Sequence, residues 1–139
     1  MNNSKLISRK LKESDWDTLK QWWDYWPRVE APDKGFLPDN GTGGLMIEDN
    51  GIPVIAGFIY QTNSNAAMLE YVISNPKYRG RDKRDAALEK LIISLQVVAE
   101  NLGFKNMFTM VRSKKFINLR GKFGGIIDPR PNYTIIKAL

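Results

Sequence analysis

The sequence contains no cysteine and no histidine. Without cysteine it forms no disulfide, carries no thiolate nucleophile and binds no metal through sulfur. Without histidine it lacks the side chain that most often serves as a general base or as a metal ligand. Any proton transfer must therefore use a carboxylate, a tyrosine, a lysine, a backbone group or water, and we expect no metal cofactor.

Long apolar runs are also missing. None approaches the ~20 residues that span a bilayer, and the first residues lack the apolar segment of a secretory signal. We therefore expect a cytoplasmic protein without a membrane partner. With 139 residues, 26% of them charged and 42% hydrophobic, the chain fits one domain over residues 1–139 with a single core.

Positive charge is concentrated in the second half of the chain. Residues 1–69 hold 7 Lys or Arg and 9 Asp or Glu, whereas residues 70–139 hold 14 and 6. Such a basic half favours an anionic partner, either a phosphorylated cofactor or a nucleic acid, although a basic surface facing water has the same composition.

The first helix is predicted to start at Ser14, whose hydroxyl can cap it, and to stop before Pro27. Spacings of three and four place one set of apolar residues on a core-facing stripe: Trp16, Leu19, Trp23 and Trp26. Trp22 and Tyr25 lie off this stripe, so they either join the core or line a substrate cleft.

Strands are predicted on both sides of this helix in the sequence. One covers residues 5–11, and three more follow a long loop over residues 27–44, which is typical of a substrate loop or of a mobile connection. Asn50-Gly51 between apolar runs predicts a hairpin. The last of the three strands, residues 66–73, is apolar nearly throughout, so we expect it to be central and buried on both faces.

A long amphipathic helix comes next. Its core-facing residues are Leu88, Leu91, Ile92, Leu95, Val98, Ala99 and Leu102. Gly103 ends it, and a strand over residues 105–111 follows in the βαβ order that favours parallel pairing. A helix capped by Ser113 and a strand from Tyr133 to Leu139 complete the order β-α-β-β-β-α-β-α-β.

The stretch that joins the apolar strand to the long helix carries the strongest functional signal. A turn with Pro76, then Gly80 within a run of cations, leads directly into the helix. Helix N-termini favour anions, because their first N–H groups lack partners within the helix and the helix dipole is positive there. We therefore expect the chemistry of this protein at this point.

The order of elements and these residues together resemble the GNAT superfamily of N-acetyltransferases. The residues that carry the resemblance are Glu70-Tyr71-Val72-Ile73-Ser74-Asn75-Pro76-Lys77-Tyr78-Arg79-Gly80. They are similar to that family's central strand and turn: an acidic residue, an apolar run, proline, then Arg-Gly. The resemblance implies an α+β or α/β fold, the GNAT-like acyl-CoA N-acyltransferase fold: a mixed, mostly antiparallel sheet with one splayed parallel strand pair, flanked by helices.

The resemblance also implies a cofactor, acetyl-CoA, bound where the parallel strands splay apart. Its binding residues would be Tyr71, Val72, Ile73, Arg79, Gly80, Arg81, Asp82, Lys83 and Arg84. The family has small residues at the positions of Asp82 and Arg84, which let the pyrophosphate approach the backbone. Asp82 adds bulk and negative charge there, or serves with Asp85 to cap the helix. The four cations of the loop offer phosphate contacts through their side chains instead.

For catalysis the resemblance implies direct transfer of the acetyl group to a primary amine on a small molecule or a protein. Glu70 is the candidate general base, because a carboxylate on an apolar strand should have its pKa raised; a carboxylate at the sheet surface or paired with an Arg is the structural alternative. Backbone N–H groups near Val72 and Ile73 would stabilise the oxyanion. Tyr133 and Tyr71 are the candidate acids.

Two other functions stay open. The missing small residues, and Arg120 at the family's tyrosine position, also fit a catalytically inactive protein of this fold with a structural, virion-type or regulatory role. The basic residues from Arg112 to Lys122, with those from Lys77 to Arg84, would suit contact with nucleic acid. The sequence does not identify the acceptor, and it leaves both a monomer and a homodimer open.

Overall fold

The structure, a computed structural model, describes residues 5–27, 30–110 and 134–139. The chain divides into two compact units, Met1–Phe108 and Thr109–Leu139. Every helix and strand of the described residues lies in the first unit. That the whole chain forms a single domain stays a prediction.

The first unit contains one five-stranded sheet in the order β1-β2-β3-β4-β5. Its strands are β1 (Leu6–Lys10), β2 (Gly44–Asp49), β3 (Ile52–Tyr60), β4 (Ala66–Ser74) and β5 (Asn106–Phe108). The first four strands pair antiparallel, and β5 pairs with β4 in parallel. The predicted hairpin is confirmed, since Asn50 and Gly51 join β2 to β3 with φ angles of 51° and 84°, as a tight two-residue turn requires.

Two α-helices, α1 (Trp16–Tyr25) and α2 (Arg81–Asn101), flank the sheet. Along β3, Ala56 and Phe58 belong to the core cluster that includes α1, whereas a methyl group on Gly57 would meet Leu91 and Leu95 of α2. Successive residues of a strand point to opposite faces. The sheet therefore has an α1 face and an α2 face, each covered by one helix.

This architecture confirms the predicted fold class, and the predicted order of elements is confirmed as far as β5. The helix predicted after Ser113 lies outside the described residues. The strand predicted from Tyr133 to Leu139 is wrong over residues 134–139, which form no regular structure, with Ile135 90% exposed. An extended segment becomes a strand only when a neighbour satisfies its hydrogen bonds, which composition alone does not reveal.

The strand buried on both faces is β3 rather than β4. Residues 54–59 of β3 are all buried, whereas β4 alternates between buried and partly exposed positions. β3 lies between two long neighbours, while β5 borders β4 over only three residues. The prediction from apolar composition that β4 is the central, doubly buried strand is therefore wrong.

The start of α1 also differs from the prediction. Ser14 lies within a 3-10 helix, Glu13–Asp15, that precedes α1, and no side chain caps α1 itself. The Asp15 carboxylate instead accepts a hydrogen bond from the Lys12 backbone N–H at 2.8 Å. It also accepts two bonds from the Arg9 guanidinium, at 2.8 and 2.9 Å. The capping role predicted for Ser14 at the start of α1 is therefore wrong, and Asp15 instead links the 3-10 helix to Arg9 of β1.

Burial along α1 is greatest in its middle. Leu19, Trp22 and Trp23 are buried, while Trp16 and Trp26 are partly exposed. Trp22 is therefore a core residue. The two ends of the helix border other segments: Lys34 lies 6.0 Å from the Trp16 ring, and the Trp26 indole N–H donates to the Ser74 carbonyl. In the described part of the chain, no helix combines the length and the apolar character needed to cross a bilayer.

Candidate functional site

β4 has a bulge at two of the predicted site residues. Gly57 of β3 lies opposite both Tyr71 and Val72 of β4, because the register of the pair shifts there. Tyr71 adopts a φ of 56°, a conformation that residues with a side chain adopt rarely. A bulge interrupts the regular hydrogen-bond ladder and redirects side chains. This part of β4 therefore presents its backbone differently from the rest of the strand.

Aromatic rings surround the bulge on the α1 face. The Tyr71 ring meets the Phe36 ring edge to face, with centroids 5.8 Å apart, and its centroid lies 6.5 Å from that of Tyr60. The Tyr60 hydroxyl donates a hydrogen bond to the Phe36 carbonyl at 3.0 Å. The long loop before β2 is thereby held against the bulge. Sequence reasoning did not identify Phe36 or Tyr60. The signal available for Tyr60 was its spacing of two residues from Phe58, because residues at this spacing share one face of a strand.

Glu70, the predicted general base, lies beside these rings. It is the register partner of Phe58 on β3, and residues directly opposite in paired strands share a face of the sheet. The pKa of Tyr60 is raised to about 12, first by burial and then by the nearby charges of Tyr71 and Glu70. The structure thus brings the partly buried Glu70 together with the bulge and its aromatic group.

The parallel pair β4–β5 is short. Residues 66–68 of β4 pair with residues 106–108 of β5. Among the described residues, no strand borders that side of β4 from Leu69 to Ser74. The predicted parallel pair is therefore present, and its pairing ends just before Glu70 and the bulge.

A turn that is fixed to the β2–β3 hairpin follows β4. The Asn75 backbone N–H donates to the Val54 carbonyl at 2.8 Å, and its side-chain amide donates to the Pro53 carbonyl at 3.0 Å. The Tyr78 hydroxyl donates to the Asp49 carboxylate at 2.6 Å. These three hydrogen bonds determine where the chain enters α2.

α2 begins at Arg81, directly after Gly80, whose φ of 108° favours glycine. The Arg84 N–H donates to the Gly80 carbonyl at 2.9 Å, and the N–H groups before it have no acceptor within the helix. The side chains of Arg79, Arg81 and Lys83 are exposed. Three cations thus lie around a helix N-terminus, as the sequence predicted, which is an arrangement that favours an anion.

Asp82 lies in the first turn of α2 and is exposed. The cap position belongs to Gly80, so the alternative that Asp82 caps the helix is wrong. A carboxylate in the first turn stabilises the helix through its dipole, and it also repels a bound anion. The negative charge of Asp82 therefore weakens the attraction of the three nearby cations for an anion.

Arg84 extends toward the end of β4. Its guanidinium donates to the Ser74 hydroxyl at 3.2 Å and lies 5.2 Å from the centre of the Trp26 ring. The Trp26 indole N–H donates to the Ser74 carbonyl at 2.8 Å. These three residues join the end of α1, the end of β4 and the start of α2. Nothing in the sequence connects Trp26 with Arg84, because the contact exists only in the folded chain.

A shallow pocket of about 250 Å³ lies beside the aromatic group. It is lined by Pro38, Asp39, Gly43, Ile59, Tyr60 and Gln61. Tyr60 belongs to both the pocket and the aromatic group, so the pocket adjoins the bulge on the side of the long loop.

The other predicted site residues are less informative. The side chain of Ile73 is buried in the core on the α1 face, and that of Val72 lies on the α2 face near Gly57. Tyr133 and the basic residues 112–122 lie outside the described residues. In the part of the chain that the structure describes, no three acidic side chains gather in a way that could hold a metal.

No protein-family model and no curated protein matches this sequence. Solved structures do match it along most of its length. One is the aminoglycoside N-acetyltransferase AAC(6')-Iy in complex with CoA, with a TM-score of 0.64 and 18% identity, covering 99% of this chain and 98% of that one.

Two further matches are ribosomal-protein-alanine N-acetyltransferases. The protein from Brucella melitensis biovar Abortus 2308 has a TM-score of 0.68 and 14% identity, covering 96% of this chain and 100% of its own. The ribosomal-protein-S18-alanine enzyme from Escherichia coli has a TM-score of 0.63 and 19% identity, covering 86% and 77%. At these identities the similarity shows the fold alone.

Proposed function

Because this chain has the fold of the GNAT acetyltransferases, we propose that it binds acetyl-CoA and transfers the acetyl group directly to a primary amine. The observation that carries this proposal is the bulge in β4. Glu70 and an aromatic group lie at the bulge, just beyond the residues of β4 that pair with β5. The N-terminus of α2, with its cations, follows after the turn that ends β4.

The residues at the start of α2 fit a phosphorylated cofactor. The positive φ of Gly80 turns the backbone into the helix, and the first N–H groups of α2 are oriented for an anion. Arg79, Arg81 and Lys83 add positive charge that is exposed and sensitive to salt. Asp82 reduces the attraction, so we expect a weaker phosphate site than a loop without this carboxylate would form.

The bulge supplies the groups for acyl transfer. Acetyl-CoA, when bound, contributes the activated acyl group as a thioester. Backbone N–H groups near Val72 and Ile73 would stabilise negative charge on the acyl oxygen. Glu70 would accept a proton from the amine, directly or through water.

A tyrosine would then protonate the leaving thiolate. Tyr71 and Tyr133 are the candidates, and Tyr71 already lies at the bulge. Tyr60 is a poor candidate, because a pKa raised to about 12 means that it holds its proton tightly. Its proposed part is structural: the neutral hydroxyl donates to Phe36 and holds the loop in place.

The acceptor would reach the bulge from the side of the long loop. The pocket between this loop and the end of β3 opens there, and it adjoins the ring of Tyr60. Small amines and amines on proteins are both compatible with a shallow, open pocket.

The test is a calorimetric titration of the protein with acetyl-CoA, followed by an amine-acceptor assay with Glu70→Gln and Glu100→Gln. Glu100 is an exposed residue near the end of α2, so it serves as the matched control. We expect saturable binding in all three proteins and a loss of kcat on the order of 10²-fold in Glu70→Gln alone, as for the removal of a general base.

Absence of binding at millimolar acetyl-CoA would refute the proposal. The result would favour a catalytically inactive protein of this fold, a function to which Asp82 in the first turn of α2 already points. Binding with an unchanged kcat in Glu70→Gln would retain the function and refute the role of Glu70.

A further inference from the structure

We infer that Arg84 is a positioning residue: through Trp26 and Ser74 it holds the first turn of α2 against the end of β4 and so determines where a phosphate group can bind. The inference rests on the proposed function, because it concerns the anion site at the start of α2. It assigns to Arg84 a part other than the direct phosphate contact that its charge suggests.

The position of Arg84 along α2 explains the direction of its side chain. Ala87, Leu88 and Leu91 are buried, and they follow Arg84 by three, four and seven residues. Residues at these spacings share one face of a helix. Arg84 therefore starts the core-facing stripe of α2, whereas the exposed residues 81–83 precede it.

The end of the sheet offers this arginine two partners. Its guanidinium lies 5.2 Å from the centre of the Trp26 ring, within the range of a cation–π interaction, and it donates to the Ser74 hydroxyl. Trp26 is itself fixed, because its indole N–H donates to the Ser74 carbonyl at 2.8 Å. The contacts thus run from the α2 side, past the end of β4, to the α1 side.

These contacts leave the backbone N–H groups at the start of α2 accessible. The Arg84 side chain extends to Ser74 and Trp26, while Arg79, Gly80 and Arg81 stay exposed. A long side chain at this position is therefore compatible with an anion at the helix N-terminus. Arg84 stands at a position where the family has a small residue, and its long side chain lies over the Trp26 ring.

The alternative is that Arg84 binds phosphate directly, for which it would have to leave the Trp26 ring. The two roles predict opposite effects of removing that ring. If Arg84 positions α2, loss of Trp26 and loss of Arg84 weaken the same site to a similar extent. If Arg84 binds phosphate, loss of the ring releases it, and acetyl-CoA binds as well as before or better.

The experiment compares Arg84→Gln, Trp26→Leu and the double variant by calorimetry with two ligands, acetyl-CoA and S-acetylpantetheine, which lacks the phosphates. We expect each single variant to lose about tenfold in affinity for acetyl-CoA, the size of a partly buried cation–π contact. The double variant should lose no more affinity for acetyl-CoA than the single variant that binds it more weakly. Affinity for S-acetylpantetheine should stay unchanged. Lys20→Gln, which removes an exposed cation of α1, is the control.

Amide hydrogen exchange without any ligand gives a second readout. Arg84→Gln and Trp26→Leu should both speed exchange in the first turns of α2 and leave exchange in the β2–β3 hairpin unchanged. Ser74→Ala removes only the hydroxyl acceptor, so it serves if Trp26→Leu fails to fold, and it should show the same exchange pattern to a smaller extent.

Several results would overturn the inference. Weaker acetyl-CoA binding in Arg84→Gln but not in Trp26→Leu would show a direct phosphate contact. An equal loss for both ligands would show a general structural effect, and unchanged exchange would show that Arg84 does not hold the first turn. If the wild-type protein bound no acetyl-CoA, the proposed function would fail, and the inference about the phosphate site would fail with it. If the wild type bound acetyl-CoA and the variants bound it with the same affinity, only the inference about Arg84 would fail.

Discussion

The two faces of the sheet are built from different side chains. The α2 face is aliphatic: Leu91 and Leu95 of the helix lie against Gly57 of β3, and Leu88 is buried as well. The α1 side holds all four tryptophans of the chain, which lie between Trp16 and Trp26, together with other aromatic rings from β3 and β4. Among the described residues, the ring contacts of the candidate site lie on the α1 side.

This difference follows from what aromatic rings can do. Tryptophan and tyrosine combine a large apolar surface with a polar edge that needs a hydrogen-bond partner when buried. Here Trp26 donates to Ser74, and Tyr60 donates to Phe36. A leucine makes no such contact. The leucine contacts of the aliphatic face therefore act through packing, while the aromatic face also fixes loops and strand ends at the site.

The sharpest test of this difference compares Phe58→Ala with Leu91→Ala. Both side chains are fully buried, at 0% exposure, one on each face. Their truncation should lower the free energy of unfolding by about 3–5 and about 2–5 kcal/mol, respectively. Denaturant unfolding measures both values.

The same two variants should differ in their tryptophan fluorescence. Because all four tryptophans belong to the α1 side, Phe58→Ala should shift the emission maximum of the folded state, and Leu91→Ala should leave it unchanged. A shift of equal size in both variants would contradict the separation of the two faces.

A smaller effect is expected at the polar edge of the α1 face. Arg9 pairs in register with Met46 of the core cluster, and it binds Asp15 and Glu48. The hydrogen bonds from Arg9 lower the pKa of Asp15. Asp15→Asn should cost about 1–3 kcal/mol, as for hydrogen bonds to a charged group, measured by denaturant unfolding at neutral pH.

The pH dependence of that effect has a definite sign. Because the folded-state pKa of Asp15 lies below its unfolded value of about 3.9, the ion pair contributes fully above that pH and is lost as the pH falls through the folded value. The stability difference between wild type and Asp15→Asn should therefore shrink below about pH 4. A difference that stays constant down to pH 2 would rule out this cause.

The smallest effect concerns Tyr60. Tyr60→Phe removes the hydrogen bond to the Phe36 carbonyl and keeps the ring, so it should cost about 0.5–1.5 kcal/mol. Tyr25→Phe, at an exposed ring, is the matched control and should cost less.

An absorbance titration tests the same residue. The pKa of Tyr60 is raised to about 12, so the wild type should show a late phenol ionisation that is missing in Tyr60→Phe. Since the folded protein holds this proton more tightly than the unfolded chain, whose tyrosines have a pKa of about 10, the contribution of Tyr60 to stability is lost as the pH rises from about 10 toward 12. Identical titrations of the two proteins would contradict its burial beside Glu70.

The sequence predicted the elements whose signals are local. Asn50-Gly51 indicated the hairpin, and the apolar spacing from Leu88 to Ala99 indicated the buried side of α2. The cations before α2 indicated a helix N-terminus that suits an anion. Each signal depends on residues close together in the chain, so periodicity and turn chemistry suffice to read it.

Predictions that needed the place of a residue in the whole fold were less successful. β4 has the apolar composition of a central strand, yet β3 takes that place. Ser14 has the right side chain for a cap, but it caps neither helix, and Arg9 of β1 holds the neighbouring Asp15 instead. For Trp22 the sequence left core and cleft open, and only the folded structure shows that it lies in the core.

The amino-acid sequence by itself determined the order of the strands and helices as far as β5, the parallel β4–β5 pairing and the cationic start of α2, because these follow from local preferences and from the handedness of a βαβ unit. Only the tertiary structure decided the bulge at Tyr71, the aromatic group with Phe36 and Tyr60, and the contact of Arg84 with Trp26. Each of these depends on atoms that are far apart in the chain, and packing alone brings them together.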